Sequence, residues 1–228
     1  MPVITIDNSR GISSVQRKIA GMQDGIIGAI YGPKGIGDFT LHGGLGIERT
    51  VRPSSNRSTG DIDGYSKTEP GEIRQVLGRS IQDIGFSFSN FRVTGRNTTY
   101  ATIRDDASGI AVKLEIIQKA VNGRLAEYVT VEGNTTDVLT ITLQDMVYEK
   151  TAALLDRKEF RDLYDLHHLV CKVLGAEDID DRLKEMVRKA LPEVKDLLHE
   201  ESTRAKIYGR KVPLREEMIN ELEKAVRN

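Results

Sequence analysis

His42-Gly43-Gly44-Leu45, followed after a polar segment by Arg57-Ser58-Thr59-Gly60-Asp61-Ile62-Asp63, is the stretch around which the rest of the chain can be arranged. Paired glycines let backbone N–H groups come close to a phosphate, because no Cβ intervenes and a positive φ costs little. On a strand, side chains alternate, so Asp61 and Asp63 share one face while Ile62 points the other way, into a core. Their Cα atoms are then about 7 Å apart, close enough for the carboxylates to hold divalent cations. A phosphate-binding turn beside a dicarboxylate implies metal-assisted phosphoryl or nucleotidyl transfer.

Working outward, Asp38–His42 reads as a short strand entering the turn, and Gly44 to about Val51 as a helix whose N-terminus faces whatever the turn holds. Arg52–Gly60 is a polar loop expected to order around a ligand. Upstream, Val15, Ile19, Met22, Ile26 and Ile30 recur at helical spacing over residues 13–31. The glycine cluster at Gly32–Gly37 lacks the G-x-x-x-x-G-K-[ST] order and reads as a plain loop. Downstream, Pro70 suits the first turn of a helix running to about Ile84. Gly85–Thr94 carries Phe86, Phe88, Phe91 and Val93, an alternation whose phase shifts, which predicts a β-bulge. Thr98–Arg104 and Ile110–Gln118 are cleaner strands. In the second of these Ile110, Val112, Leu114 and Ile116 share a face, so Lys113 and Glu115 face the other way. Glu115 is thus a candidate third carboxylate. Glu127–Glu132 and Asp137–Thr142, joined by Gly133-Asn134, read as a hairpin.

From Leu143 the pattern turns helical. The chain therefore reads as an α+β protein, with a mixed α/β domain over 1–142 and a helical domain over 143–228. Helices are expected at Gln144–Leu155 and Glu159–Leu174, as two or as one with a break, with Asp156–Glu159 able to cap the second, and at Asp180–Leu191. Others follow from Pro192 onward and over Pro213–Val226, where Met218, Leu222 and Val226 recur every fourth residue. Lys150 and Arg157 are seven apart and Arg161 and Asp165 four apart, so each pair shares a face where the helix is continuous. Cations on one face suit a triphosphate.

Composition narrows the classes. At 228 residues, 39% hydrophobic and 29% charged, the chain has the makeup of a globular protein able to bury a core. A formal net charge of −1 gives no bulk attraction to polyanions, so an RNA substrate would have to be met by a local basic patch. The one cysteine, Cys171, excludes an intramolecular disulfide, a CxxC redox pair and a cysteine-rich zinc site. No apolar run approaches the ~18 residues of a membrane span, and the N-terminus lacks the pattern of an export signal. A cytoplasmic protein without a membrane partner is expected.

Together, Gly43-Gly44, the Arg57-Ser58-Thr59-Gly60-Asp61-Ile62-Asp63 motif, Glu115 within Val112-Lys113-Leu114-Glu115, and the run Lys150…Arg157…Arg161-Asp162…Asp165 resemble the AbiEii/AbiGii-type nucleotidyltransferases. These form a branch of the DNA polymerase beta-like superfamily that includes toxins of toxin–antitoxin and phage-defence systems. The resemblance covers roughly Phe39 to Leu169, and its specificity lies in the order of the four motifs. It implies a polymerase-beta-like mixed sheet with flanking helices, followed by a helical C-terminal domain that closes the cleft. The implied activity is Mg2+-dependent transfer of NMP from an NTP to an acceptor hydroxyl, in toxin relatives often an RNA such as a tRNA 3′ end, with an antitoxin protein as partner. Asp61, Asp63 and Glu115 would then be catalytic and would hold two Mg2+ ions. Gly43, Gly44, Thr59, Lys150, Arg157, Arg161, Asp162 and Asp165 would bind nucleotide. Two positions depart from the family's pattern: Leu45 stands where Thr is common, and Glu115 where Asp is often found.

Other readings compete. Asp61-Ile62-Asp63 with Glu72 at the twelfth position has the outline of a calcium loop, but Tyr65 occupies a ligand position and Ser66 the glycine position. Glu115 could be an edge-strand charge that resists aggregation, and the charged run could be solvated helix salt bridges. His42 could meet a ligand or be structural; His167-His168 reads as one packed and one exposed imidazole, and Cys171 as a core thiol. At the level of function, the alternative is a non-catalytic nucleotide- or partner-binding protein that keeps the fold; a third reading transfers NMP to a protein or small-molecule hydroxyl.

Overall fold

The computed structural model describes residues 13–95, 97–194, 197–208 and 211–227. The amino-terminal segment read for an export signal lies outside them, save its last residues. The chain divides into two compact units: residues 1–50 with 58–141, and residues 51–57 with 142–228.

The first unit opens with helix α1, Ser14–Tyr31, started by a capping box in which Ser13 and Gln16 exchange side-chain and backbone hydrogen bonds. Met22, Ile26, Ile27 and Ile30 line its buried stripe, whereas Val15, expected on that stripe, is exposed because the first turn stands clear of the core. Strand β1, Thr40–His42, is shorter than expected and runs directly into α2, Gly43–Thr50. Then come β2, Asp61–Ser66, and α3, Pro70–Gln82, with Pro70 in its first turn where a missing N–H costs nothing. Strands β3, Phe86–Thr94, β4, Thr98–Asp105, and β5, Ala111–Gln118, form an antiparallel meander. The hairpin of β6, Arg124–Val129, and β7, Thr135–Thr140, completes the unit. Its strands sit two to three residues earlier than the pattern suggested, because residues 130–134 are taken up by the turn, closed by Thr130 and Asn134.

These strands make one mixed seven-stranded sheet in the order β3-β4-β5-β2-β1-β7-β6, with β2/β5 and β1/β7 parallel and the other pairs antiparallel. Alternation in the central strands sends Ile62, Val112, Leu114, Ile116, Ala101 and Ile103 into a core shared with α1 and with Ile73, Leu77 and Ile81 of α3. The intervening residues of the same strands, Asp61, Asp63, Lys113 and Glu115, therefore project from the opposite face. The predicted bulge is present: the β3–β4 register shifts between Phe88 and Asn90.

The second unit is helical. Thr142 caps α4, Leu143–Arg157, which stops where Lys158 turns left-handed at φ 50°. Two helices result, α5 being Phe160–His168, and it continues as a π-helical turn at Leu169–Val173. Asp180 caps α6, Asp181–Ala190. The helix expected from Pro192 is a 3-10 turn at Leu191–Glu193 followed by the short α7, Glu200–Arg204; residues 195, 196, 209 and 210 of that region lie outside the described set. Finally α8, Arg215–Ala225, buries Met218 and Leu222. Both imidazoles of His167-His168 are buried, contrary to expectation, because each has a partner: Nε2 of His167 lies 2.9 Å from Glu221 and Nε2 of His168 lies 2.8 Å from the Pro53 carbonyl.

Candidate active site

The turn between β1 and α2 brings backbone against carboxylate. Gly43 has φ +68°, and a Cβ added there would run into the Asp63 carboxyl group, so conformation and contact both demand glycine. At the next residue of β2 the requirement repeats: a Cβ on Gly64 would collide with the Phe39 ring. Gly44 is buried in the first turn of α2, and Leu45 is fully buried in the apolar core, so position 45 contributes packing. His42 is register neighbour to Asp63, and its ring stacks on Tyr65 at 4.1 Å with 12° between planes.

Helix α1 fixes the approach to β2. The Gln23 amide, almost completely buried, donates to the carbonyls of Thr59 (3.1 Å) and Asp61 (3.3 Å). Beyond β2, the Asp38 carboxylate accepts from the Ser66 and Thr68 hydroxyls and the Lys67 N–H. Asp61 and Asp63 therefore stand on a strand tied down at both ends.

The parallel pairing of β2 with β5 sets Asp63 beside Glu115 and Asp61 beside Lys113. Burial, and then the negative charge of Asp63, push the Glu115 carboxyl above the usual carboxylate range; the Tyr100 hydroxyl, which donates to it, and His42 pull the other way. Tyr100 is the register neighbour of Glu115 on β4. The acids open onto a cavity of about 420 Å³ whose further walls include Tyr100, Arg92 and Lys113. The three acids open on one cavity, and their carboxylates are hard oxygen donors of the kind a hard divalent cation takes.

The remaining sequence candidates gather in the helical unit. Asp162 and Asp165 are fully enclosed there. Arg57 grips Asp165 with two hydrogen bonds of 2.7 Å, and Lys150 lies 2.7 Å from Asp165 and 3.6 Å from Asp162. Arg157 holds Asp162 with bonds of 2.7 and 2.8 Å. Burial alone would raise the Asp165 carboxyl, but Arg57 and Lys150 outweigh it and hold the group far below its ordinary range. Arg161, half-exposed, pairs with Glu159 and not with the aspartate four residues on. Sequence reasoning assigned no role to Arg57, although it heads the quoted motif; Gln23 and Tyr100 carried no signal at all.

Comparison with known proteins decides the family. The AbiEii profile, described as a nucleotidyl transferase toxin of a type IV toxin–antitoxin system, matches residues 33–227. The chain belongs to the AbiEii nucleotidyltransferase toxin family. Its fold is shared with solved structures. The MenT4 nucleotidyltransferase toxin of Mycobacterium tuberculosis H37Rv is 17% identical with a TM-score of 0.66, over 93% of this chain and 83% of that one. JHP933 of Helicobacter pylori is 17% identical with a TM-score of 0.68, over 95% of this chain and 92% of that one. No curated protein matches this AbiEii chain by the comparison made with them. As a family member it is a nucleotidyltransferase. Among the described residues no helix is long and apolar enough to cross a membrane.

Proposed function

We propose that the Asp61, Asp63 and Glu115 corner transfers NMP from an NTP to the hydroxyl of an RNA end, such as a tRNA 3′ end, in a cytoplasmic toxin that an antitoxin protein restrains. The observation that carries this reading is the β2–β5 register, which sets Glu115 beside Asp63, itself lodged against Gly43. The family description supports the toxin–antitoxin setting. Asp61, Asp63 and Glu115 would hold two Mg2+ ions, which when bound neutralise triphosphate charge and lower the pKa of the attacking hydroxyl.

The chain's own groups supply the rest. Gly43 and Gly44 offer N–H groups to the β- and γ-phosphates, and Thr59, held by Gln23, lines the approach. The acceptor oxygen forms a bond to the α-phosphorus, the bond to the β-phosphate oxygen breaks, and pyrophosphate leaves. Glu115, set beside Asp63 on the side of the corner toward β4, takes the acceptor proton. In the helical unit Lys150, Arg157 and Arg161 are the proposed phosphate cations, and Asp162 and Asp165 the groups that position the first two.

The test is to incubate the protein with each α-labelled NTP, Mg2+ and total RNA. Label is expected in RNA, and strongly reduced with Asp61→Asn or Asp63→Asn. Bound nucleotide with no label transferred to anything would instead establish the non-catalytic reading.

A further inference from the structure

The cavity beside the acids has a wall that the proposed chemistry leaves unassigned. Register across four strands sets two rows of side chains on the carboxylate face: Asp63, Glu115, Tyr100 and Arg92 in one, Asp61, Lys113, Thr102 and Asn90 in the other. Each row starts with the acids on β2 and ends with a cation or an amide on β3, about 14 Å away at three inter-strand spacings.

The bulge is what places the far ends of these rows. Before it, Phe88 faces the helices, touching the Cβ side of Gly78 on α3. After it, Phe91 is on that same side, edge-on to Phe88 at 5.3 Å and beneath Arg74 of α3. Simple alternation from Phe88 would have sent Asn90 and Arg92 toward the helices. The extra residue reverses the phase and turns both into the cavity, one of the ways bulges re-aim side chains near active sites. Arg92 is then held over the Tyr100 ring at 5.1 Å, and both Arg92 and Lys113 are exposed. Neither has a carboxylate in ion-pair contact among the described residues.

We infer that this β3–β4–β5 face is the acceptor subsite and that it takes the terminal nucleotides of a single-stranded nucleic acid. The inference rests on the proposed transfer reaction and gives it a direction. In-line displacement puts the attacking and leaving oxygens on opposite sides of the transferred phosphorus. The glycine corner, which would hold the leaving phosphates, lies on the β1 side of the acids; β4 and β3 lie on the other side, beyond Glu115. The nucleophile therefore arrives across β5 and β4, past the group that takes its proton. Along that route Lys113 and Arg92 meet backbone phosphates, and the guanidinium plane of Arg92 gives a base something to stack on. Two cations and a few uncharged donors fit the end of one strand; a duplex held by its backbone would need more.

The experiment measures binding of a 5′-fluorescent 12-nucleotide RNA with a free 3′ end by anisotropy, without NTP, and separately the KM values for that RNA and for NTP. Arg92→Ala with Lys113→Ala should weaken RNA binding about tenfold and raise the RNA KM similarly. It should also flatten the dependence of log K on log salt by about 0.7 for each phosphate that the variant no longer neutralises, and leave the NTP KM within twofold. Both side chains are exposed, so the double variant should melt with the wild type. RNA affinity unchanged in that variant would overturn the assignment, as would wild-type protein that ignores RNA and labels a protein or small molecule. If no transfer to RNA occurs yet the variant loses RNA binding, the subsite stands and the enzymatic reading falls.

Discussion

Glu115 in the sheet unit and Asp165 in the helical unit are both carboxylates drawn away from water, and burial raises the proton affinity of both. Their neighbours differ. Asp165 is gripped by Arg57 and Lys150, so it stays ionised far below its ordinary range. Glu115 has Asp63 as its strongest charged neighbour and moves upward. In the helical unit Arg57, Lys150 and Arg157 are each paired with Asp162 or Asp165, which fix their positions. The sheet unit has set acids side by side, an arrangement that divalent cations would relieve. One network holds a fold together; the other is strained in a way that binding can release.

The sharpest way to break this contrast is to remove one acid from each region. Asp165→Asn strands Arg57 and Lys150 and should cost about 3–5 kcal/mol, read by urea unfolding. Asp63→Asn should leave the fold at least as stable without metal, because it relieves repulsion, while transfer falls by about 10²–10³-fold in a labelled-NTP assay. If Asp63→Asn destabilises as much as Asp165→Asn, the two regions do not differ as described.

Acid sharpens the same contrast. The folded Asp165 carboxyl titrates below its unfolded value of about 3.9, so its contribution is complete at neutral pH and is lost as pH falls through and below that value. Unfolding free energy measured from pH 7 to pH 3 should therefore drop below about pH 4 in the wild type and drop less in Asp165→Asn. Glu115 has the opposite sign: its folded value lies above the unfolded one, so raising pH through it weakens the metal-free fold. The smallest effect is expected at the edge of the helical network. Arg157→Ala should cost about 1 kcal/mol, since its side chain is 41% exposed and water screens part of the pairing with Asp162.

Much of the sheet unit was legible because its strands bury one face only. Val112, Leu114 and Ile116 declared the inward face of β5, and Phe88 followed by Phe91 declared the bulge. What alternation cannot give is strand order. That β2 lies between β1 and β5, and that Arg92 ends in a row with Asp63, depends on pairings between segments distant in the chain. The helical unit was less legible for a related reason. Arg57 and Asp165 meet across 108 positions, and no local periodicity marks such a pair. Lys150 and Arg157 share a helical face as the spacing implied, yet that face is turned to buried aspartates. Where a helix is expected from Pro192, the chain makes a 3-10 turn over Leu191–Glu193 and later the short α7.

The most direct measurement is the melting temperature of wild type and Asp63→Asn with and without Mg2+ or Mn2+. The wild type should rise in stability with metal, by about 2.7 kcal/mol at a hundred times the dissociation constant. Asp63→Asn should melt at or above the metal-free wild type and gain little on addition of either ion. Equal gains in both proteins would contradict the assignment of the Asp61, Asp63 and Glu115 corner as the cation site.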